Sequence, residues 1–298
     1  MVALIRSVII PAAGQGTRLL PLTKAVPKEL LPVYDRPILQ FALDESVAAG
    51  ARRIVIVINE QKASIRDYVK DEPFDSAQFR MIGKHDLAEA LTAIKVPPHV
   101  NVTFAVQDKP LGLGHAVLCA AHLLEPGPIG VILPDDIIFG RSCLAEMATV
   151  YTTGHMVAAM EVAPADTSRY GIFRLDAPVM SRVIPVRGLV EKPPMGTAPS
   201  TLAAVGRYIL SPCIISTLAA TTAGAGGEIQ LTDAIADDAR EIPLTAYRFS
   251  GERYDCGSIE GLYEAGFARR MLVAGQLVEC RRLQAEFDKR RLGAQLTE

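Results

Sequence analysis

The sequence predicts an α/β fold: a Rossmann-like central sheet, mostly parallel to mixed, with helices on both faces. Three observations predict it. Short runs rich in Val and Ile (Ser7–Ile10, Ile54–Ile58, Val102–Val106 and Val131–Leu133) lack the apolar-polar alternation of a half-solvated strand. Helical patterns separate those runs, which is the rhythm of βαβ units. The first run opens into PAAGQGTRLLPLTKAVPKELLPV, residues 11–33, a stretch dense in turn-forming glycine and proline.

The elements follow in order. After the strand Ser7–Ile10, a helix spans 38–49, closed by Gly50 as a C-cap. The strand 54–58 leads to a helix over 63–70. Residues 71–100 break the rhythm and form an excursion with one helix near 87–94. The strand 102–106, a helix over 115–124 and the strand 131–133 complete a nucleotide-binding half, 1–154. Beyond residue 155 strand-like runs dominate: 156–162, 171–175, 183–190, 203–209 and 244–249. They predict a mixed-sheet half, 155–257. Residues 193–201 (PPMGTAPST) and 221–227 (TTAGAGG) are loops by composition. A helical stretch over 262–292, with Val273, Leu277, Cys280, Leu283 and Phe287 at helical spacing, lies in a closing segment, 258–298. The three segments form one domain, 1–298, with no internal repeat.

Composition excludes some classes. With 31 basic and 33 acidic residues, the net charge of -2 argues against nucleic-acid binding. The five cysteines are odd in number, widely spaced and without a C-x-x-C pair, as in a protein of reduced thiols. No apolar run approaches the roughly 20 residues of a membrane span. Together these readings predict a cytoplasmic protein that does not bind membranes.

The opening glycine-rich stretch lies where sheets of this kind bind nucleotides. A Walker loop, G-x-x-x-x-G-K-[ST], is absent. A dinucleotide fingerprint has Gly14 and Gly16, but Leu19 stands in the third glycine's place, and Pro21 and Pro27 forbid the helix that should follow. A third reading is a long, proline-stiffened loop that wraps a triphosphate. Its glycines admit backbone N–H groups, and Arg18 and Lys28 supply charge. A plain turn with solvated cations remains the alternative on these residues alone.

The stretch Ala13-Gly14-Gln15-Gly16-Thr17-Arg18-Leu19-Leu20-Pro21-Leu22-Thr23-Lys24-Ala25-Val26-Pro27-Lys28-Glu29-Leu30-Leu31-Pro32 resembles the signature of bacterial sugar-1-phosphate nucleotidylyltransferases, most closely their uridylyltransferase branch. Further blocks follow in the family's order: Gln107 with Gly112–Val117, Ile132–Asp135, Tyr170-Gly171, Val190–Pro193, Val205–Tyr208, Gly227–Ala234 and Tyr254–Gly257. Residues 71–100 and Ser258-Ile259-Glu260 depart from the family pattern, outside the core motifs.

The resemblance implies that a phosphate oxygen of glucose-1-phosphate attacks the α-phosphorus of UTP, giving UDP-glucose and pyrophosphate. It implies Mg²⁺ held by Asp135 and Asp255, with Arg18, Lys28 and Lys192 as further catalytic residues. Lys192 would contact the sugar phosphate and Glu191 the sugar hydroxyls, with Tyr170, Gly171 and Gly206 lining the sugar site. Gln107 would read the uracil edge, with Gly112 letting the base approach. Ala13, Gly14, Gly16, Thr17 and Glu29 complete the substrate-binding set. The family resemblance also makes 155–257 the sugar-binding half and implies a homodimer or homotetramer. Transfer from dTTP, use of another sugar-1-phosphate, or a non-catalytic regulator that binds UDP-glucose are the alternatives.

Each residue also has a plainer reading. A lone strand-end aspartate is often a helix N-cap, and Asp136 reads as a helper of Asp135 or a cap. Glu191 and Lys192 could form a solvated ion pair worth under about 1 kcal/mol. Gln107 could be an ordinary turn amide. His115 reads as buried or capping, and Cys256 as a small buried spacer. No Ser-His-Asp or Cys-His arrangement is evident.

Overall fold

The computed structural model describes residues 5–70, 76–177, 180–222 and 227–276. The first part of the chain runs β1 (Ser7–Pro11), β2 (Pro32–Val33), β3 (Arg36–Pro37), α1 (Ile38–Ala48), β4 (Arg53–Ile58), α2 (Ala63–Val69), α3 (Ser76–Met81), α4 (His85–Ala93), β5 (Asn101–Val106), α5 (Leu113–Ala120) and β6 (Ile129–Ile132). There follow β7 (Asp136–Phe139), α6 (Cys143–Val150), β8 (His155–Glu161), β9 (Gly171–Arg174), β10 (Val183–Val186), β11 (Gly188–Glu191) and β12 (Leu202–Leu210). The last are α7 (Ile214–Ala220), α8 (Leu231–Asp238), β13 (Leu244–Arg248), β14 (Glu252–Asp255) and a closing helix described over 259–276.

One 10-stranded sheet runs β10-β13-β8-β12-β6-β1-β4-β5, with β9 branching from β12 to pair with β11. β6, β1, β4 and β5 are mutually parallel. The chain moves outward from β1 through β4 to β5, then returns to β6 on the other side of β1. That reversal opens a crevice at the carboxyl ends of β1 and β6, the place where such sheets bind ligands. β12 lies antiparallel to both β6 and β8, so it joins the parallel half to a mixed one.

The apolar strands are continuous because both faces are covered. Ile9, Val55 and Val57 point into a core shared with α5, α7 and α8. Their neighbours Val8, Ile10, Ile54, Ile56 and Ile58 fill a second core with α1 and α6. A third, smaller cluster joins Leu19, Leu31, Val33, Ile38, Ile137, Cys256 and Ala265. It ties the residues 12–33 loop to the closing helix.

Several expected elements differ in detail. Residues 183–190 form two strands, not one: the chain turns at Arg187-Gly188, sending β10 to β13 and β11 to β9. The helix expected over 115–124 starts at Leu113 and ends at Ala120, followed by a 3-10 turn over Ala121–Leu123. The excursion holds two helices, α3 and α4, and its residues 71–75 lie outside the described residues. The expected 262–292 helix begins earlier, at 259, and its residues 277–292 lie outside the described residues, as do 223–226 of the expected loop over 221–227.

Candidate active site

The loop after β1 is shaped by its own prolines and one glycine. Three 3-10 turns, Thr17–Leu19, Leu22–Lys24 and Lys28–Leu30, replace the helix that a dinucleotide fold would place there. Gly16 has φ of +69°, a left-handed backbone that favours glycine. The Thr23 hydroxyl donates to Gly16 O at 2.8 Å and closes the first bend. Leu19, the residue in the third glycine's place, is fully buried and anchors the loop in the third core cluster. Gly14 and Thr17 are exposed, and a Cβ on Gly14 would meet nothing within 4 Å, so no protein packing demands glycine there.

The loop delivers Lys28 to Asp135, with Nζ donating to Oδ2 at 2.6 Å. Arg18 Nη2 stands 3.8 Å from the same oxygen, on a side chain that is 67 % exposed. Burial by itself would push the Asp135 carboxyl up, but Lys28 more than offsets it, and the group sits below the usual carboxylate range. Lys28 is shifted the other way: burial would lower it, yet Asp135 and Glu29 raise it. Asp135 does not cap a helix, because strand β7 follows it.

Asp255 reaches the same place by a different route. It ends β14, a strand of its own and not the tail of the 244–249 run. β14 pairs antiparallel with β7 and sets Asp255 opposite Asp136. The Cys256 amide donates to Asp135 O at 2.8 Å, which ties the two aspartates through the backbone. Cys256 is fully buried and burial pushes its thiol up, so it is a spacer and no nucleophile.

Asp135 and Asp255 line one cavity of about 530 Å³ together with Arg18, Tyr170, Gly171, Glu191, Lys192 and Gly206. Eight of the expected residues are therefore brought together. Glu191 Oε2 would lie 3.2 Å from a Cβ on Gly171, so glycine there makes room for the carboxylate. Lys192 takes φ of +42°, an uncommon conformation for a non-glycine residue, and its amide donates to Tyr170 O at 3.0 Å. Its Nζ is 3.5 Å from Glu191 Oε1 on a side chain that is 63 % exposed. Gly206 packs against Leu133 and Asp136 too closely for any Cβ, and its amide donates to Asp136 Oδ2 at 2.9 Å.

A second cavity, about 370 Å³, is lined by Ala13, Gln15, Asn59, Gln107 and Asp108 among others. Gln107 Nε2 donates to Gly112 O at 3.0 Å and meets His115 Nδ1 at 3.0 Å. His115 is thus half-buried beside an amide. Gly112 has φ of +92°, and a Cβ on it would strike Glu228 and Ile229 at 2.9 Å. The close approach that requires glycine at 112 is by the 228–229 segment of the protein itself.

One expectation is overturned. Glu29 is not in the substrate set that faces the cleft: it is 0 % exposed, beneath the loop, with Oε2 paired to Lys62 Nζ at 2.7 Å. A buried carboxylate next to a buried ammonium satisfies charge inside the protein. Lys28 likewise stands behind Asp135 and lines neither cavity.

Arg253 and Arg169 also line the larger cavity without having been singled out in the sequence, as do Glu228 and Gln230, which stand in the Gly227–Ala234 block but had no role assigned. Arg253 Nε donates to Asp136 Oδ1 at 2.8 Å and its Nη1 to the Tyr170 hydroxyl at 3.3 Å. Asp136 is pushed up by burial, partly offset by Arg253. Arg207, in the Val205–Tyr208 block, had no role assigned either; it is fully buried against Glu45, and its Nη1 donates to Leu133 O just ahead of Asp135. Arg253 left one signal: it is two residues from Asp255 on a strand, hence on the same face.

The sequence profile described as "Nucleotidyl transferase" matches residues 7–269. The chain belongs to the nucleotidyl transferase family. This nucleotidyl transferase is 38 % identical over 285 residues to a UTP–glucose-1-phosphate uridylyltransferase of Komagataeibacter xylinus, covering 94 % of this chain and 99 % of that one. It is also similar to a UDP-glucose pyrophosphorylase solved as a complex with UDP-glucose, at 38 % identity and a TM-score of 0.80 over 90 % of this chain and 99 % of the other. A UTP-bound enzyme from Acinetobacter baumannii matches with a TM-score of 0.81 at 35 % identity, over 92 % and 98 % of the two chains.

Among the described residues, one group of three holds His, Cys or carboxylate atoms close enough for a metal: His155, Cys213 and Asp238. Ser211 N donates to His155 Nδ1 at 3.2 Å, so the proton of the neutral ring sits on Nε2, which donates to Asp238 Oδ2 at 2.9 Å. The ring nitrogen facing the group is occupied by its own proton. No helix among the described residues is long and apolar enough to cross a membrane.

Proposed function

We propose that this protein transfers a uridylyl group from UTP to glucose-1-phosphate. An oxygen of the sugar phosphate attacks the α-phosphorus of UTP. The bond from that phosphorus to the oxygen bridging it to the β-phosphate breaks, and pyrophosphate leaves with UDP-glucose as product. The observation that carries the reading is one cavity that gathers Arg18, Asp135, Glu191, Lys192 and Asp255 from separate parts of the chain. Relatives named for this reaction, and a similar structure holding UDP-glucose, support it.

Both reactants are polyanions, so catalysis here is mainly positioning and charge compensation. Arg18, exposed at the rim of the loop, is free to fork onto phosphate oxygens. Lys28 is a compact charge within reach of Asp135. Lys192 orients the sugar phosphate, and Glu191 accepts from sugar hydroxyls. Gly14, Gly16 and Thr17 bring loop backbone to the triphosphate. With its amide nitrogen engaged, Gln107 offers Oε1 to the N3–H of uracil, across the cavity it shares with Ala13. Thymine has that N3–H as well, so Gln107 does not choose UTP over dTTP.

The residues present fit Mg²⁺. Asp135 and Asp255 are hard oxygen donors on one cavity, Asp135 is held ionised, and one or two carboxylates suffice when phosphates complete the shell. The ion would neutralise charge on the phosphates when bound. We assign the protein to the cytoplasm, from its odd, widely spaced cysteines, and to a homodimer or homotetramer, as the family resemblance implies.

The test is pyrophosphate release from UTP and glucose-1-phosphate, with and without Mg²⁺, against a panel with dTTP and other sugar-1-phosphates. Turnover should require Mg²⁺ and be fastest with UTP and glucose-1-phosphate. Faster turnover with another pair, or none, would overturn the assignment.

A further inference from the structure

The β4–α2 turn grips the phosphate loop from beneath. Lys62, just before α2, has a side chain 8 % exposed. Its Nζ donates to Ala12 O at 2.6 Å, where the loop leaves β1, and to Glu29 Oε2 at 2.7 Å, where the loop returns. One ammonium therefore clasps both limbs of a loop whose anchored residues stand seventeen positions apart. Asn59, from the same turn, adds a bond from Nδ2 to Ala13 O at 2.8 Å.

Lys28 is adjacent to Glu29 and extends to Asp135. Four charges thus stand in alternating file from the cavity into the interior: Asp135, Lys28, Glu29, Lys62. Replacing a buried ion pair by apolar residues is often neutral or stabilising, so a pair of this kind is weak evidence for stability. Here the buried pair joins the backbone at Ala12 to the Glu29 side chain and stands one residue from Lys28. Glu29 Oε1 is buried without a hydrogen-bond partner, so the carboxylate relies on Lys62.

We infer that Lys62, acting through Glu29, is a positioning residue that sets where Lys28 stands against Asp135 and the phosphates. It touches no substrate. Glu29 and Lys62 fix the loop backbone and so fix where the Lys28 side chain meets Asp135. This inference rests on the uridylyl-transfer reading.

The test compares wild type, Lys62→Met and the double variant Lys62→Met/Glu29→Leu, which removes both charges and leaves no buried ion unpaired. Turnover with UTP and glucose-1-phosphate, KM for each, and thermal midpoint are measured. Lys62→Met should be destabilised, because Glu29 is left alone. The double variant should recover most of the wild-type midpoint yet keep a kcat lowered about tenfold to a hundredfold, the scale of a small misplacement. Its KM for glucose-1-phosphate should stay near wild type, since the sugar side of the cavity is built elsewhere. A double variant with wild-type kcat would overturn the inference and leave Lys62 a structural residue only. A loss of kcat that follows the midpoint through all three proteins would overturn it too. Wild-type protein inactive with these substrates would instead refute the underlying reading.

Discussion

The two sides of the larger cavity handle charge differently. On the loop side, Lys28 and Asp135 are paired at 2.6 Å, and Glu29 and Lys62 at 2.7 Å, with all four side chains largely or wholly buried. On the sugar side, Lys192 is 63 % exposed and only 3.5 Å from Glu191. Its strain is in the backbone, at φ of +42°. Apart from Arg18, exposed at the rim, the loop side is pre-organised, with these donors and acceptors fixed before any ligand arrives. The sugar side presents a cation whose backbone is fixed and whose side chain is free. Pre-organised groups should control the rate of transfer, and the free one should control affinity for the sugar phosphate.

The sharpest break in this contrast is Asp135→Asn. It keeps the size, removes the charge that Lys28 faces, and should lower kcat by about a thousandfold in folded protein. Steady-state kinetics beside a circular-dichroism melt checks it. Arg18→Ala comes next. Its side chain is exposed, so the fold should be untouched. One lost charge-assisted contact of this kind costs on the order of 3 kcal/mol, about a hundredfold in rate. Near-normal turnover in the folded variant would remove Arg18 from the site. Lys192→Ala should differ in kind: KM for glucose-1-phosphate rises about tenfold, near 1.4 kcal/mol, with a smaller effect on kcat. Its melting point should hold, because an exposed pair contributes about 1 kcal/mol at most.

These residues also mark how far the sequence was legible. Apolar runs broken by helices identified β1, β4, β5 and β6, because a strand covered on both faces needs no polar alternation. The order of those strands makes Asp135 a crevice residue, and the prolines at 21 and 27 excluded a dinucleotide helix. Glu29 was misread because a charged residue inside a charged motif looks ligand-facing, while its burial depends on Lys62, 33 residues further along the chain. Lys62 itself gave no local sign: in Glu60-Gln61-Lys62 a lysine reads as solvated. The pairings of Arg253 and Arg207 were hidden, since their partners Asp136 and Glu45 meet them only through strand pairing and sheet packing. The split of 183–190 had a sign in Arg187-Gly188, a charged residue and a glycine that interrupt the apolar run.

A smaller effect lies outside both sides. His155 is fully buried and neutral, lowered from 6.5 by burial against the opposing pull of Asp238. Ser211 N, Cys213 and Thr217 are the other groups gathered around this pair. A histidine with a depressed folded value lends stability that is full above pH 6.5 and is lost as pH falls through the folded value. Thermal midpoints should therefore decline on the acid side of pH 6.5, with His155→Gln flattening that part of the profile. An unchanged slope in the variant would assign the acid loss to other groups.

Asp135 and Asp255 should act as one cation-holding unit. A double-mutant cycle in kcat, with Asp135→Asn, Asp255→Asn and both together across a Mg²⁺ titration, tests it most directly. Each single variant should lose most of its turnover and need more Mg²⁺, and the double variant should be little worse than the poorer single. Losses that multiply in the double variant, or full activity of either single at limiting Mg²⁺, would contradict it.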